Sequence, residues 1–151
     1  MVVQKPRAWK LRKGASVAVQ GVCSTVRNIT SGTFEVAYMP ETLKKTTVGN
    51  LRKDAIVNLE QSMRLGDELG GHLVQGHVDC VAEIVNVAAA GESVVMEFTI
   101  PKRWMRYLAP KGSVAVDGVS LTVVDVHHTT FTVSLSELYA HPYEFGNIAQ
   151  R

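Results

Sequence analysis

The chain contains the same sequence unit twice, and this repeat limits the folds that it can adopt. The segment SVAVQGVCSTV at residues 16–26 returns as SVAVDGVSLTV at residues 113–123, an offset of 97 residues. The same offset of 97 residues carries Phe34 onto Phe131. Because each copy of a sequence repeat forms one structural unit, we expect two similar units in the fold.

Neither copy spans the whole repeat. The segment at residues 76–95 has no counterpart in the first copy, and a counterpart of residues 57–60 would fall beyond the last residue. Glycines at residues 70–76 indicate a hinge between the copies,. We therefore expect two barrel repeats, the first at residues 1–72 and the second at residues 73–151, both shortened.

Alternation of apolar and polar side chains predicts β-strands in both copies. At residues 94–100 the sequence VVMEFTI alternates with period two, and Phe34 and Val36 continue the pattern in the first copy,. The one helical segment lies at residues 102–108, between two prolines,. Short strands with glycine or polar turns indicate an all-β fold of two pseudo-repeated, incomplete Greek-key β-barrels.

Composition and charge exclude several classes of protein. With 46% hydrophobic residues the chain can bury a core, and a net charge of +2 gives no basic stripe for nucleic acid,. Residues 1–13 are basic without an apolar core, so we expect neither a secretory signal nor a membrane span,. The two cysteines, Cys23 and Cys80, form no disulfide framework, which favours a cytoplasmic setting,.

Five stretches occurring together resemble the riboflavin synthase family over residues 13–135. They are GASVAVQGVCSTV at 14–26, MPETL at 39–43, VNLE at 57–60, LGGHLVQGHVD at 69–79 and KGSVAVDGVSLTV at 111–123. The resemblance implies two barrels of the riboflavin synthase type, each binding one 6,7-dimethyl-8-ribityllumazine, in a homotrimer. It also implies that productive sites form between the first barrel of one subunit and the second barrel of its neighbour.

The activity that the resemblance implies is that of a transferase. A four-carbon unit passes from one lumazine to the other, which gives riboflavin and 5-amino-6-ribitylamino-uracil. The family uses no metal and no cofactor, and the expected partners are the lumazine substrate and further copies of the chain.

The resemblance assigns the chemistry to Cys23, His77 and Ser120. Cys23 matches the family's active-site thiol, although a small buried hydrophobe is the alternative reading of a lone cysteine. His77 follows a glycine beside the hinge, and an imidazole can move protons near neutral pH. Ser120 occupies the position of Cys23 in the second copy, so the two barrels offer different groups to their ligands.

The resemblance also implies a set of substrate-binding residues. In the first copy these include the MPETL segment, which as a helix start has a purely structural alternative. A metal pair formed by His72 and His77 is not expected, because their spacing does not place them on one helical face. The implied substrate-binding residues are Thr25, Met39, Pro40, Glu41, Thr42, Gly76, Val78, Lys111 and Thr122.

The chain departs from the family at three places. It opens with MVVQKPRAWK where the family has an MFTGIVE-like strand, and residues 136–140 replace an IPHTL-like segment. Ser24 stands where the family has leucine. Neighbouring residues of a strand face opposite surfaces, so with Cys23 pointing inward we expect Ser24 on the other surface.

Three functions follow as alternatives. The first is riboflavin synthase, and the second is a non-catalytic relative that binds lumazine or flavin, such as an antenna protein of bioluminescent bacteria. The third, an oligonucleotide-binding Greek-key barrel, requires exposed aromatic side chains and basic grooves that the sequence does not supply. Incomplete barrels expose strand edges, so we also expect self-association.

Overall fold

Ten β-strands and two short helices form within residues 1–136, the part of the chain that the computed structural model describes. Residues 137–151, the end of the expected second repeat, lie outside the described residues. The elements are β1 Val2–Gln4, β2 Ser16–Val19, β3 Val22–Ile29, β4 Thr33–Val36, α1 Pro40–Lys45, a 3-10 helix Thr47–Asn50, β5 Leu59–Gln61, β6 Glu83–Ala90, β7 Ser93–Thr99, α2 Lys102–Met105, β8 Ser113–Val116, β9 Val119–Val126 and β10 Thr130–Ser136.

The strands form two five-stranded antiparallel sheets with matching topology. The first has the order β1-β4-β3-β2-β5, and the second has the order β6-β7-β10-β9-β8. In each sheet three strands follow one another through hairpins, and an earlier strand lies beside the last of them, which is a Greek key. The all-β, two-repeat fold predicted from the sequence is confirmed.

The repeated hairpins β2–β3 and β8–β9 have the same two-residue turn. Gln20 and Gly21 have φ angles of 50° and 72°, and Asp117 and Gly118 have φ angles of 48° and 86°. Positive φ at both central residues is the signature of a type I′ turn, whose twist suits an antiparallel hairpin. The local sequences QG and DG therefore give both hairpins the same register.

Each sheet buries its own apolar core around a phenylalanine. Phe34 is fully buried in the first core, and Phe131 is 2% exposed in the second. Phe98 stacks on Phe131 with the ring centroids 5.3 Å apart. Full burial of one such ring contributes about 1.5–3 kcal/mol, so each repeat has a hydrophobic core of its own.

The helix expected at residues 102–108 is shorter in the structure. α2 ends at Met105, and the next two backbone bonds run from Tyr107 N to Trp104 O at 3.0 Å and from Leu108 N to Met105 O at 3.1 Å. These bonds span three residues, so the chain tightens into 3-10 turns before Pro110.

The two sheets differ at the outer edge of the first strand of the repeated hairpin, which is β2 in one sheet and β8 in the other. β5 pairs with this edge of β2, and the β2 residues Val17 and Val19 are 1% and 0% exposed. Within residues 1–136 no strand pairs with the corresponding edge of β8. Val114 and Val116 are accordingly only half-buried.

Candidate functional site

The outer faces of the two repeated hairpins present nearly the same surface. Successive residues of β3 alternate between buried and exposed, so residues 23 and 25 point away from the core. The residues of β9 alternate in the same way. The outward positions are Ser16, Ala18, Cys23 and Thr25 in the first repeat, and Ser113, Ala115, Ser120 and Thr122 in the second. At these four pairs of positions the two surfaces differ only by the exchange of a thiol for a hydroxyl, and at the next outward position Arg27 in β3 corresponds to Val124 in β9.

The expected orientation of Cys23 and Ser24 is wrong. Cys23 is exposed, whereas Ser24 is 3% exposed and faces the core between Val22 and Val26. The physical reason is that the two valines hold the buried face of β3, and period two then places residue 24 inside. Cys23 is therefore a surface thiol, and reading it as a small buried hydrophobe is also wrong.

The segment that joins the repeats contacts the Cys23 position directly. The Cys23 backbone N–H donates to the Gly76 carbonyl at 2.9 Å. Gly76 has a φ of +72°, and a Cβ atom there would lie 2.7 Å from the Cys23 nitrogen and 2.9 Å from the Gly21 carbonyl oxygen. Because a side chain would clash with this backbone, only glycine allows so close an approach.

The same joining segment contacts the equivalent position of the second repeat. His72 Nδ1 lies 2.7 Å from Ser120 Oγ, and a Cβ atom on Gly71 would lie 2.7 Å from the Ser120 side chain. The sequence alone does not predict this contact, because it relates His72 only to a metal pair with His77 that the spacing excludes,. The signal was the repeated Gly-His pair, at residues 71–72 and again at 76–77.

His77 and Val78 lie farther along the joining segment, where they line a cavity of about 900 Å³. His77 is exposed, and its ring makes no hydrogen bond within residues 1–136. The cavity extends to the half-buried Val114 and Val116 and to Trp104, whose buried Nε1 has no hydrogen-bond partner among the described residues. Cys23 and Ser120 lie on different sheets, and His77 directly follows Gly76, whose carbonyl accepts from the Cys23 backbone N–H.

The segment from Met39 to Thr42 begins helix α1. Met39 is the N-cap and is 72% exposed, and Pro40 follows at the first helical position. Glu41 forms an i,i+4 ion pair with Lys45 at 2.6 Å, and this partner lowers the pKa of the Glu41 carboxyl. The helix start is thus confirmed as a structural role, and the exposed side chains remain available to a ligand.

Lys111 has a left-handed backbone conformation in the second repeat. Its φ is +68°, and its backbone N–H donates to Val123 O at 2.8 Å. The equivalent residue in the first repeat is Gly14, with a φ of +81° and the same bond to Val26 O at 2.8 Å. A lysine with this positive φ is conformationally less favourable than the glycine of the first repeat.

Within residues 1–136, a tyrosine and a thiol have raised pKa values. Burial raises the pKa of Tyr38, its hydrogen bond with Ser24 partly offsets this effect, and the nearby Cys23 charge raises the pKa further. Burial also raises the pKa of Cys80, with Asp79 adding to the effect and Arg103 opposing it.

Residues 1–136 contain neither a metal-type cluster of side chains nor a membrane-spanning helix. No cluster of three or more His, Cys, Asp or Glu side chains there could hold a metal ion. None of the helices in this part of the chain has the length and apolarity needed to cross a membrane.

Comparison with known proteins identifies relatives of the chain. It is 42% identical over 122 residues to the riboflavin synthases of Actinobacillus pleuropneumoniae and Bacillus subtilis, which covers 81% of this chain and 57% of each relative. It is 44% identical over 127 residues to riboflavin synthase of Brucella abortus, covering 81% of this chain and 63% of the relative. The chain thus spans little more than half the length of these relatives.

Among solved structures, the fold is similar to that of LumP. A complex of LumP with 6,7-dimethyl-8-(1′-D-ribityl) lumazine superposes with a TM-score of 0.78 at 21% identity, over 91% of this chain and 74% of LumP. A LumP complex with riboflavin gives a TM-score of 0.76 at 21% identity, over 86% of this chain and 70% of LumP. These similarities support the two-repeat architecture.

The family comparison matches both repeats. The profile of the lumazine binding domain aligns with residues 2–62 and again with residues 75–146. The two aligned segments contain the β2–β3 and β8–β9 hairpins respectively. Since these matches cover most of the sequence, the chain belongs to the lumazine binding domain family.

Proposed function

We propose that the protein is a riboflavin synthase that acts on 6,7-dimethyl-8-ribityllumazine. Two substrate molecules exchange a four-carbon unit, and the products are riboflavin and 5-amino-6-ribitylamino-uracil. The atoms of two lumazines equal those of the two products, so the reaction needs no external oxidant or reductant. The relatives named riboflavin synthase support this proposal.

The observation that carries the proposal is the duplicated outer surface in which a thiol at Cys23 corresponds to a hydroxyl at Ser120. A reaction between two identical substrates that take different roles requires two similar binding surfaces that are not identical. Cys23 and Ser120 supply this difference at equivalent positions, because a thiolate is the stronger nucleophile and a hydroxyl the weaker acid. We therefore infer that the two repeats hold the donor and acceptor lumazines.

The proposed roles follow from the chemistry of each group. Cys23 is the nucleophile or polarising group next to the ligand of the first repeat, and Ser120 contacts the ligand of the second repeat. His77, exposed in the joining segment, moves the proton of the lumazine methyl group. His72 orients the Ser120 hydroxyl through the 2.7 Å contact between Nδ1 and Oγ.

The remaining contacts are proposed to hold the ribityl chain and the ring. In the first repeat, Thr25 lies beside Cys23 on the outer face of β3, and Met39–Thr42 are exposed at the start of α1. In the second repeat, Thr122 lies on the outer face of β9, and Lys111 projects from a strained position in the loop before β8. Gly76 and Val78 complete the set from the joining segment.

We infer that a productive site requires two subunits. Cys23 and Ser120 belong to different sheets, and a reaction needs both ligands stacked in register,. A homotrimer in the cytoplasm, with repeats at residues 1–72 and 73–151, is the arrangement proposed from the family resemblance.

A lumazine- or flavin-binding protein without catalysis is the second candidate. The similarity to LumP complexes with lumazine, riboflavin and flavin mononucleotide favours it. The Cys23 surface and the His72–Ser120 contact favour the enzyme instead, because binding alone does not require groups of these types.

The test is to mix the purified chain with the lumazine and to follow riboflavin by its visible absorbance and fluorescence. Turnover with a rate per subunit that rises with protein concentration supports an enzyme with a shared site. Binding without turnover supports the second candidate. A monomer, shown by light scattering, that converts lumazine at constant specific activity would contradict the shared site.

A further inference from the structure

A hydroxyl pair, formed by the buried Ser24 and the half-buried Tyr38, distinguishes the first repeat from the second. Ser24 and Tyr38 correspond, at the offset of 97 residues, to Leu121 and Leu135. Ser24 is 3% exposed, and the two leucines are 7% and 4% exposed. The same location in the fold is therefore bridged by a polar contact in one repeat and by an apolar contact in the other.

The hydrogen bonds of this pair have a defined direction. Ser24 Oγ donates to the Val22 carbonyl at 2.9 Å and lies 2.8 Å from Tyr38 Oη. A serine hydroxyl has one proton, so with that proton on Val22 O the Tyr38 hydroxyl is the donor to Ser24. Burial raises the pKa of Tyr38, which keeps this donor protonated at neutral pH,.

The pair connects two segments that carry the proposed first half-site. Val22 and Ser24 are the two neighbours of Cys23 in β3, and the Ser24 side chain lies on the face opposite the thiol. Tyr38 directly precedes Met39, the N-cap of α1. A bond between Ser24 and Tyr38 thus fixes the start of α1 relative to the strand that carries Cys23.

The leucine pair of the second repeat fills space but does not restrict the orientation of one segment relative to the other. An O–H···O bond does restrict it, because the bond requires a narrow range of distance and angle. We propose that Tyr38 and Ser24 are positioning residues that hold the Met39–Thr42 segment in register with Cys23, so that the first repeat orients its lumazine against the thiol. This inference rests on the proposed function. It means that the two repeats differ both in their exposed residues, Cys23 and Ser120, and in the side chains on the opposite face of the same strands.

Two variants separate positioning from packing. Tyr38→Phe removes only the hydroxyl, and the double variant Ser24→Leu/Tyr38→Leu installs the apolar pair that the second repeat already uses. Tyr107→Phe is the matched control, because the Tyr107 hydroxyl accepts only from Arg106 at an exposed site. All variants are made with Cys80→Ala, so that Cys23 is the one thiol of the chain.

The decisive measurement is the rate of Cys23 alkylation by iodoacetamide across pH 6–9, with the urea midpoint measured in parallel. We expect the leucine pair to leave the urea midpoint within error of the parent, since this pair packs well in the second repeat. We expect Cys23 alkylation to change about threefold or more in both Tyr38 variants, because the segment beside the thiol loses a directional constraint. Tyr107→Phe should match the parent in both readouts.

Turnover gives the second readout. Loss of register should lower kcat by about 10- to 100-fold in both Tyr38 variants while KM changes little. If the leucine pair matches the parent in alkylation at every pH, the bond is packing alone and the proposal is overturned. If the parent makes no riboflavin, the proposed function fails, and the alkylation rates still decide whether the pair positions Cys23.

Discussion

Replacing Gly21 by alanine tests how the two repeats meet. Gly21 and Gly118 occupy equivalent turns, and a Cβ atom on Gly21 would lie 2.4 Å from the Gly118 nitrogen. This is about 1 Å short of van der Waals contact, and the obstructing atom is backbone that cannot rotate away. The two turns must therefore separate, or the hairpin must distort.

Gly14→Ala isolates the conformational part of this effect. Gly14 has a φ of +81°, similar to the +72° of Gly21, but its Cβ would meet nothing within 4 Å. An alanine in this left-handed region costs about 1–2 kcal/mol at either position. Gly21→Ala adds an overpacking term of about 1–3 kcal/mol.

Separation of the turns also disturbs a hydrogen bond between the repeats. The Asn58 side-chain amide donates to the Asp117 carbonyl at 3.0 Å, and its loss adds about 1 kcal/mol,. We expect Gly21→Ala to lower the free energy of unfolding by about 3–6 kcal/mol, against about 1–2 kcal/mol for Gly14→Ala.

The assay is urea unfolding of both variants and the parent, followed by far-UV circular dichroism. Gly118→Ala, whose Cβ would lie 3.0 Å from the Gly21 nitrogen, should fall between the other two. Equal unfolding free energies for the Gly14 and Gly21 variants would refute the close contact of the two turns.

Three further predictions concern the proposed site. Cys23→Ser should leave the free energy of unfolding within about 0.5 kcal/mol, because the side chain is exposed, and should lower riboflavin formation at least about tenfold,; unchanged turnover would remove Cys23 from the chemistry. Lys111→Gly should raise the free energy of unfolding by about 0.5–1 kcal/mol, because glycine relieves the positive φ, and should weaken lumazine binding measured by fluorescence titration,; unchanged affinity would argue against a ligand contact. Tyr38 holds its proton more tightly in the folded chain, so its contribution to stability is present below about pH 10 and is lost as the pH rises through its raised folded pKa,. Urea midpoints measured from pH 8 to 11 should therefore decline more steeply for the parent than for Tyr38→Phe, and parallel declines would contradict the raised pKa.

The sequence predicted the parts of the fold that depend on local pattern. The repeat with an offset of 97 residues and the QG and DG turns specified two matching hairpins, and the structure has them. The orientation of β3 was also readable, because Val119, Leu121 and Val123 mark the buried face in the second copy. The family resemblance pointed to Cys23 as a reactive residue. Its side chain was expected to point inward, but it lies on the exposed face of β3.

The contacts of the joining segment could not be predicted in the same way. Residues 62–82 contain no strand, so no periodicity fixes where their side chains lie. The contact between His72 and Ser120 joins residues 48 positions apart, and it depends on how the two sheets pack. The repeated Gly-His pair indicates a role for both histidines but not which surface each one touches.

The contact between Gly21 and Gly118 joins the same position of two copies of one sequence. An interface in which a residue meets its own counterpart is the kind that two identical subunits form about a two-fold axis. Each copy of the repeat therefore supplies one side of a contact that resembles a two-fold interface within a single chain,. The symmetry is incomplete, because the hairpins that meet there carry a thiol on one outer face and a hydroxyl on the other.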